Sequence, residues 1–140
     1  MAAVAEEGYL ALHREVTDEL AQAGATTRGR LLAIARAYVR FAYHEPGRYR
    51  VLVGPRNYQR FPATDAAVDQ AFAILATEFT RAIGRGEVGA GDVVEIAAWY
   101  WSVMHGLADL ILSRRVAVRR ELVGAFAERM VGRALDGVLR

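Results

Sequence analysis

Trp101, Ser102, His105 and Gly106 are the residues of this chain whose types and spacing most invite a chemical reading. They lie within EIAAWYWSVMHGLADLIL, residues 95–112, a nearly uncharged stretch with helical patterning. Positions 101 and 105 are one helical turn apart, so an indole and an imidazole share a face, about 6 Å apart along the axis. An imidazole beside a serine suggests acyl transfer. An i, i+3 pair on one helix nevertheless lacks the oxyanion donors and the orienting third group that such chemistry needs, and neither Ser102 nor Ser113 sits on a strained strand-to-helix turn. Gly106 costs about 1 kcal/mol of helix propensity against alanine, which calls for a compensating reason such as close backbone approach. A ring pair, a glycine and apolar surroundings describe a packing seam or a pocket wall, not a catalytic centre. No enzyme activity is expected.

The other apparent motifs carry less. Gly84, Gly86 and Gly89 match the G-x-G-x-x-G dinucleotide fingerprint, but no βαβ pattern surrounds them, and they read as a glycine-rich turn between helices. His13, His44 and His105 fall in three different helices without metal-ligand spacing, and cysteine is absent, so neither a metal nor another cofactor is expected.

Composition narrows the remaining classes. A chain of 140 residues suits one domain with its own core, and 54% hydrophobic with 24% charged residues is a globular balance. All 18 basic residues are arginine, yet the net charge is only +2 and the 16 acidic residues are interspersed, so no basic stripe for a nucleic-acid backbone stands out. Arg114, Arg115, Arg119 and Arg120 form the densest cluster and read as a solvated helix junction. The uncharged run 96–108 is shorter than the roughly 20 apolar residues of a bilayer span. Glu6 and Glu7 interrupt any hydrophobic leader, so the expectation is a cytoplasmic protein without a membrane association.

The elements that must position the 101–106 face all read as helices. Ala5, Gly8, Leu12, Val16 and Leu20 recur at helical spacing from the first residue, and Gly24 closes that helix. Thr26 or Thr27 opens a second helix, which ends near His44 because Pro46 disfavours helical geometry in the residue before it. Pro46 starts a short third helix, and residues 54–63 read as a loop. A fourth helix opens at Thr64 or Asp65 with Val68, Phe72, Leu75, Phe79 and Ile83 on one stripe. Asp92 caps the fifth, and the last runs from about Val118 to Leu139. No segment alternates with period two. The chain is therefore expected to be all-α, one domain over 1–140, with five main helices and one short one.

Five aromatic-rich helices interrupted at Pro46 can enclose either a filled core or an apolar cavity. Tyr38, Phe41, Tyr49, Phe72, Leu75, Phe79, Trp101, Met104 and His105 are the candidates for its lining. His105 is expected to be mostly buried and neutral, packed near Trp101, with Asp109 at i+4 as a possible acceptor. The last two helices carry long apolar stripes and small residues and are expected to form a symmetric homodimer, with Gly106, Leu110, Gly124, Ala127, Met130 and Val131 at the interface.

Two segments together resemble a known family. Trp101, His105 and Gly106 in WSVMHGLADLIL, with AYVRFAYHEPGRYRVLV over 37–53, are similar to the C-terminal domain of TetR-type bacterial transcriptional regulators, in the subclass named for its Trp-His-Gly signature. The opening AAVAEEGYLAL, within residues 1–23, resembles the helix that joins the DNA-reading part of such regulators to their regulatory part. The resemblance implies that the last two helices pair with a second subunit as a four-helix bundle, and that a small hydrophobic effector in the central pocket alters the spacing of the two linking helices. It also implies a helix-turn-helix ahead of residue 1. This chain carries none, so DNA contact is expected only through such a part. The competing reading is a structural or partner-binding helical module with a filled core.

Overall fold

The computed structural model describes the backbone of residues 2–53 and 62–140 and the side chains of 6–53 and 69–140. Six α-helices follow in order: α1 Ala2–Gln22, α2 Thr27–His44, α3 Pro46–Val53, α4 Pro62–Gly84, α5 Val93–Leu112 and α6 Val123–Asp136, with a 3-10 turn at Arg120–Leu122 before the last. The fold is all-α, as the patterning requires.

The helix boundaries follow from local chemistry. Thr26 caps α2 by accepting the Gly29 amide, and Asp92 caps α5 by accepting that of Val94 at 2.9 Å, so each satisfies an amide that has no partner within its helix. Gly24 and Gly86 adopt φ of +78° and +72°, left-handed conformations that glycine takes without strain, just beyond the ends of α1 and α4. The Gly84, Gly86, Gly89 segment is thus an interhelical turn. Two boundaries differ from expectation. α4 starts at Pro62 rather than at Thr64 or Asp65, since proline's fixed φ suits a first helical position. The last helix is 14 residues long, not a run from 118 to 139, because Arg119 is extended and the chain enters through a single 3-10 turn. The expected loop over 54–63 lies outside the described residues except for Pro62 and Ala63, which are helical.

α2 is the central helix. It packs against α1, α5 and α6 and buries ten of its residues, among them Leu31, Ile34, Tyr38 and Phe41. α1 lies across α2, α3 and α4. Two arginines of α2 tie this packing together through three ion pairs. Glu78 of α4, 4% exposed, receives Arg30 of α2 in a bidentate contact of 2.8 to 3.1 Å. Arg36 of α2 reaches Glu19 of α1 on one side and Glu128 of α6 on the other, bridging three helices.

The small residues of the last helix serve the inside of the monomer. Ala127 and Val131 are fully buried, and a Cβ on Gly124 would sit 3.2 Å from Arg40 Cδ and 3.3 Å from Arg36 Cγ. The α6 face bearing Gly124, Ala127 and Val131 therefore packs on α2 of the same chain, which corrects their assignment to a surface between two copies. Gly106, by contrast, is exposed and a Cβ there would meet nothing, so no close approach within the monomer accounts for it. Leu110 is 45% exposed and Met130 half-buried. Arg114, Arg115, Arg119 and Arg120 are all exposed.

Candidate ligand cavity and its tyrosine and histidine relay

Pro46 stops α2 and restarts the chain as α3, and this reversal brings Tyr49 back against Tyr38. Their rings meet edge to face, with centroids 5.6 Å apart and an interplanar angle of 85°. The phenol oxygens, 3.2 Å apart, share a hydrogen bond. α5 closes the arrangement from the other side. Trp101 Nε1 donates to Tyr38 Oη at 3.2 Å, and His105 Nδ1 lies 2.8 Å from Tyr49 Oη and 3.5 Å from Tyr38 Oη. Three helices thus contribute one continuous chain of polar atoms, Trp101 to Tyr38 to Tyr49 to His105. Burial pushes both phenols above the ordinary tyrosine pKa, so each keeps its proton through the neutral range.

Against this relay lies an apolar cavity of about 50 Å³. Tyr9, Leu12, His13 and Val16 of α1 form one wall; Ile34 and Tyr38 of α2, Tyr49, Leu52 and Val53 of α3, Ala71, Phe72, Ile74 and Leu75 of α4, and Trp101 and Met104 of α5 complete it. A single water needs roughly 10–15 Å³ of such space, so the cavity as it stands holds only a few non-hydrogen atoms. A second, open groove of about 380 Å³ is lined by Tyr9, Leu52, Val53, Ala98, Trp101, Ser102 and His105. Tyr9, Leu52, Val53 and Trp101 line both spaces and form the partition between them. Within the partition Tyr9 Oη donates to the Leu52 carbonyl at 3.2 Å, which fastens α1 to α3.

Of the nine residues proposed from sequence as lining, Tyr38, Tyr49, Phe72, Leu75, Trp101 and Met104 surround the cavity, and His105 faces the groove. Phe41 and Phe79 line neither; both are core, Phe41 at 1% exposure and Phe79 packed edge to face on Tyr100 at 5.6 Å. His105 is of intermediate burial. Its ring lies tilted against Tyr49 with centroids 6.0 Å apart, while that of Trp101 lies tilted against Phe72, so the Trp101 and His105 rings are joined through the tyrosines and not directly. Among the described residues Asp109 takes no hydrogen bond from the imidazole; Tyr49, eleven residues from Tyr38 in sequence, is the partner. Tyr9, Leu12 and Val16 were absent from the sequence candidates. Leu12 and Val16 were visible as the apolar stripe of α1, and Tyr9 falls beside that stripe.

The two serines are turned away from the imidazole. Ser102 Oγ is turned back onto the Ala98 carbonyl at 2.8 Å and Ser113 Oγ onto that of Asp109 at 2.8 Å, so both hydroxyls bond their own helix. No group of three or more metal-ligating side chains occurs among the described residues, and no described helix is long and apolar enough to cross a membrane.

Comparison with known proteins places this architecture. A solved protein of unknown function from Rhodococcus sp. RHA1 superposes with a TM-score of 0.82 at 25% identity, over 99% of this chain and 71% of that one. No curated protein matches the sequence. Residues 31–134, which hold most of α2 through nearly all of α6 and with them the whole polar relay, match the family described as Tetracyclin repressor-like, C-terminal domain, and the chain belongs to that family.

Proposed function

We propose that this chain is the effector-binding and dimerising domain of a bacterial transcriptional regulator, of the subclass marked by Trp101, His105 and Gly106, and that it has no enzyme activity. The observation that carries the reading is the cavity between α1, α2, α3, α4 and α5, with α1 supplying one wall through Tyr9, Leu12 and Val16. α1 is the segment that resembles the linker to a DNA-reading part. A hydrophobic molecule entering the cavity must displace α1 or α4, because about 50 Å³ is far below the roughly 300–1,000 Å³ of typical ligand sites. The effector would thus change where α1 points, and operator affinity would follow as a shift in population between two positions of the linker.

Dimerisation is assigned to the outer face of α5 with the flank of α6. Leu110 and Leu122 are 45% and 40% exposed, and Gly106, on the same side of α5 as Leu110, lets a second backbone approach. Those residues, with Met130, replace the buried Ala127 and Val131 and the α2-facing Gly124 as the interface.

The small cavity favours a second reading, a filled helical module that binds only another protein. Thermal melts against a panel of hydrophobic compounds separate the two. An effector domain gains melting temperature by mass action with at least one compound, and a filled module gains none.

A further inference from the structure

The relay dictates the hydrogen-bonding character of His105, and with it the chemistry the groove selects. Tyr38 and Tyr49 each carry one proton that needs an acceptor, and Trp101 supplies only a donor. If Tyr38 donates to Tyr49, then Tyr49 donates to His105 Nδ1 at 2.8 Å and every hydrogen is seated. If Tyr49 instead donates to Tyr38, the Tyr38 proton has only His105 Nδ1, at 3.5 Å. Both arrangements require a bare Nδ1. Protonating that nitrogen would leave a buried hydroxyl hydrogen without an acceptor, a loss of about 1–3 kcal/mol. A neutral imidazole with a bare Nδ1 carries its hydrogen on Nε2, which has no partner among the described residues, and the ring lines the groove.

We infer that His105 presents a fixed Nε2–H donor to the groove beside the apolar cavity, and that the site takes apolar molecules bearing a carbonyl oxygen and discriminates against amines. The inference rests on the effector-binding reading above. The carbonyl would accept from His105 while the hydrocarbon part lies on the partition of Tyr9, Leu52, Val53 and Trp101, toward the inner cavity. Ser102 adds no competing donor, since its hydroxyl is committed to Ala98. An ammonium group would bring only donors to a donor and would lose its hydration without replacement.

Two measurements on the full chain test this. Imidazole ¹⁵N spectroscopy at neutral pH should find the His105 hydrogen on Nε2 and a pyridine-like Nδ1; a hydrogen on Nδ1 overturns the inference without reference to any ligand. Titration with ethylbenzene, acetophenone and 1-phenylethylamine, three molecules of similar size, should rank acetophenone about tenfold tighter than ethylbenzene, with the amine weakest. In His105→Phe that preference should collapse, and in His105→Gln, which restores an N–H donor, it should persist in part. The glutamine variant decides the matter if the phenylalanine variant fails to fold. Equal binding of acetophenone and ethylbenzene sinks the donor assignment while leaving a hydrophobic effector site standing. No binding by any of the three counts against the effector site and the carbonyl preference built on it, while the Nε2–H assignment stands or falls on the ¹⁵N spectrum alone.

Discussion

Tyr49 Oη and His105 Nδ1 lie 2.8 Å apart, joining α3 to α5 between the cavity and the groove, although 56 residues separate them in sequence. Through Tyr38 the same bond reaches Trp101, so one polar thread runs along the wall formed by α2, α3 and α5. Removing any member leaves its neighbour with an unmet donor or acceptor in a largely apolar setting.

Tyr49→Phe should therefore cost about 1–3 kcal/mol of stability, and the imidazole hydrogen should redistribute between Nδ1 and Nε2. Chemical denaturation and imidazole ¹⁵N spectra of the variant check both effects. A variant as stable as the parent, with unchanged His105 resonances, would show the contact to be incidental.

Stability should fall above about pH 10. Burial raises the pKa of Tyr38, Tyr49 and Tyr100 in the folded chain above the ordinary value of 10.0. The unfolded chain therefore releases those protons first as pH rises, and the stability they contribute is fully present below that value and lost as pH climbs beyond it. Melting temperatures between pH 8 and 11 should trace the decline. The double variant Tyr49→Phe and Tyr100→Phe should show a shallower one.

Glu78→Gln should destabilise the chain by about 2–4 kcal/mol. Glu78 is buried and receives the Nε and Nη2 edge of the Arg30 guanidinium, so the substitution leaves a part-buried cation facing a neutral amide. The loss should appear in the unfolding midpoint, while the far-ultraviolet circular dichroism of the folded state stays helical.

Leu110→Arg and Ala127→Arg should behave differently. Leu110 is 45% exposed, so an arginine there should yield a folded monomer by sedimentation if α5 forms the dimer face. Ala127 is fully buried beneath α2, and an arginine there should unfold the chain rather than dissociate it. A folded Leu110→Arg dimer would move the interface elsewhere.

The helices and most of their ends were legible in the sequence because they depend on neighbours. Apolar spacing of three and four, threonine or aspartate at a cap, glycine after the last turn and proline against continuation all act within a few residues. The Trp101 to His105 spacing likewise placed both rings on one face of α5. Direction in space was not legible, because a helix with small and apolar residues on two sides does not say which neighbour takes which side. Gly124, Ala127 and Val131 could have met a second copy, and only the packing of α6 on α2 decided that they meet their own chain. Phe41 and Phe79 are as aromatic as Phe72, and only the positions of α1 and α4 decided which of the three lines a cavity. The partner of His105 was the least accessible to reading along the chain. The nearby acid Asp109 satisfied the local rule, but the turn at Pro46 brought the Tyr49 hydroxyl closer, and a hydrogen bond forms with the atom that is in reach.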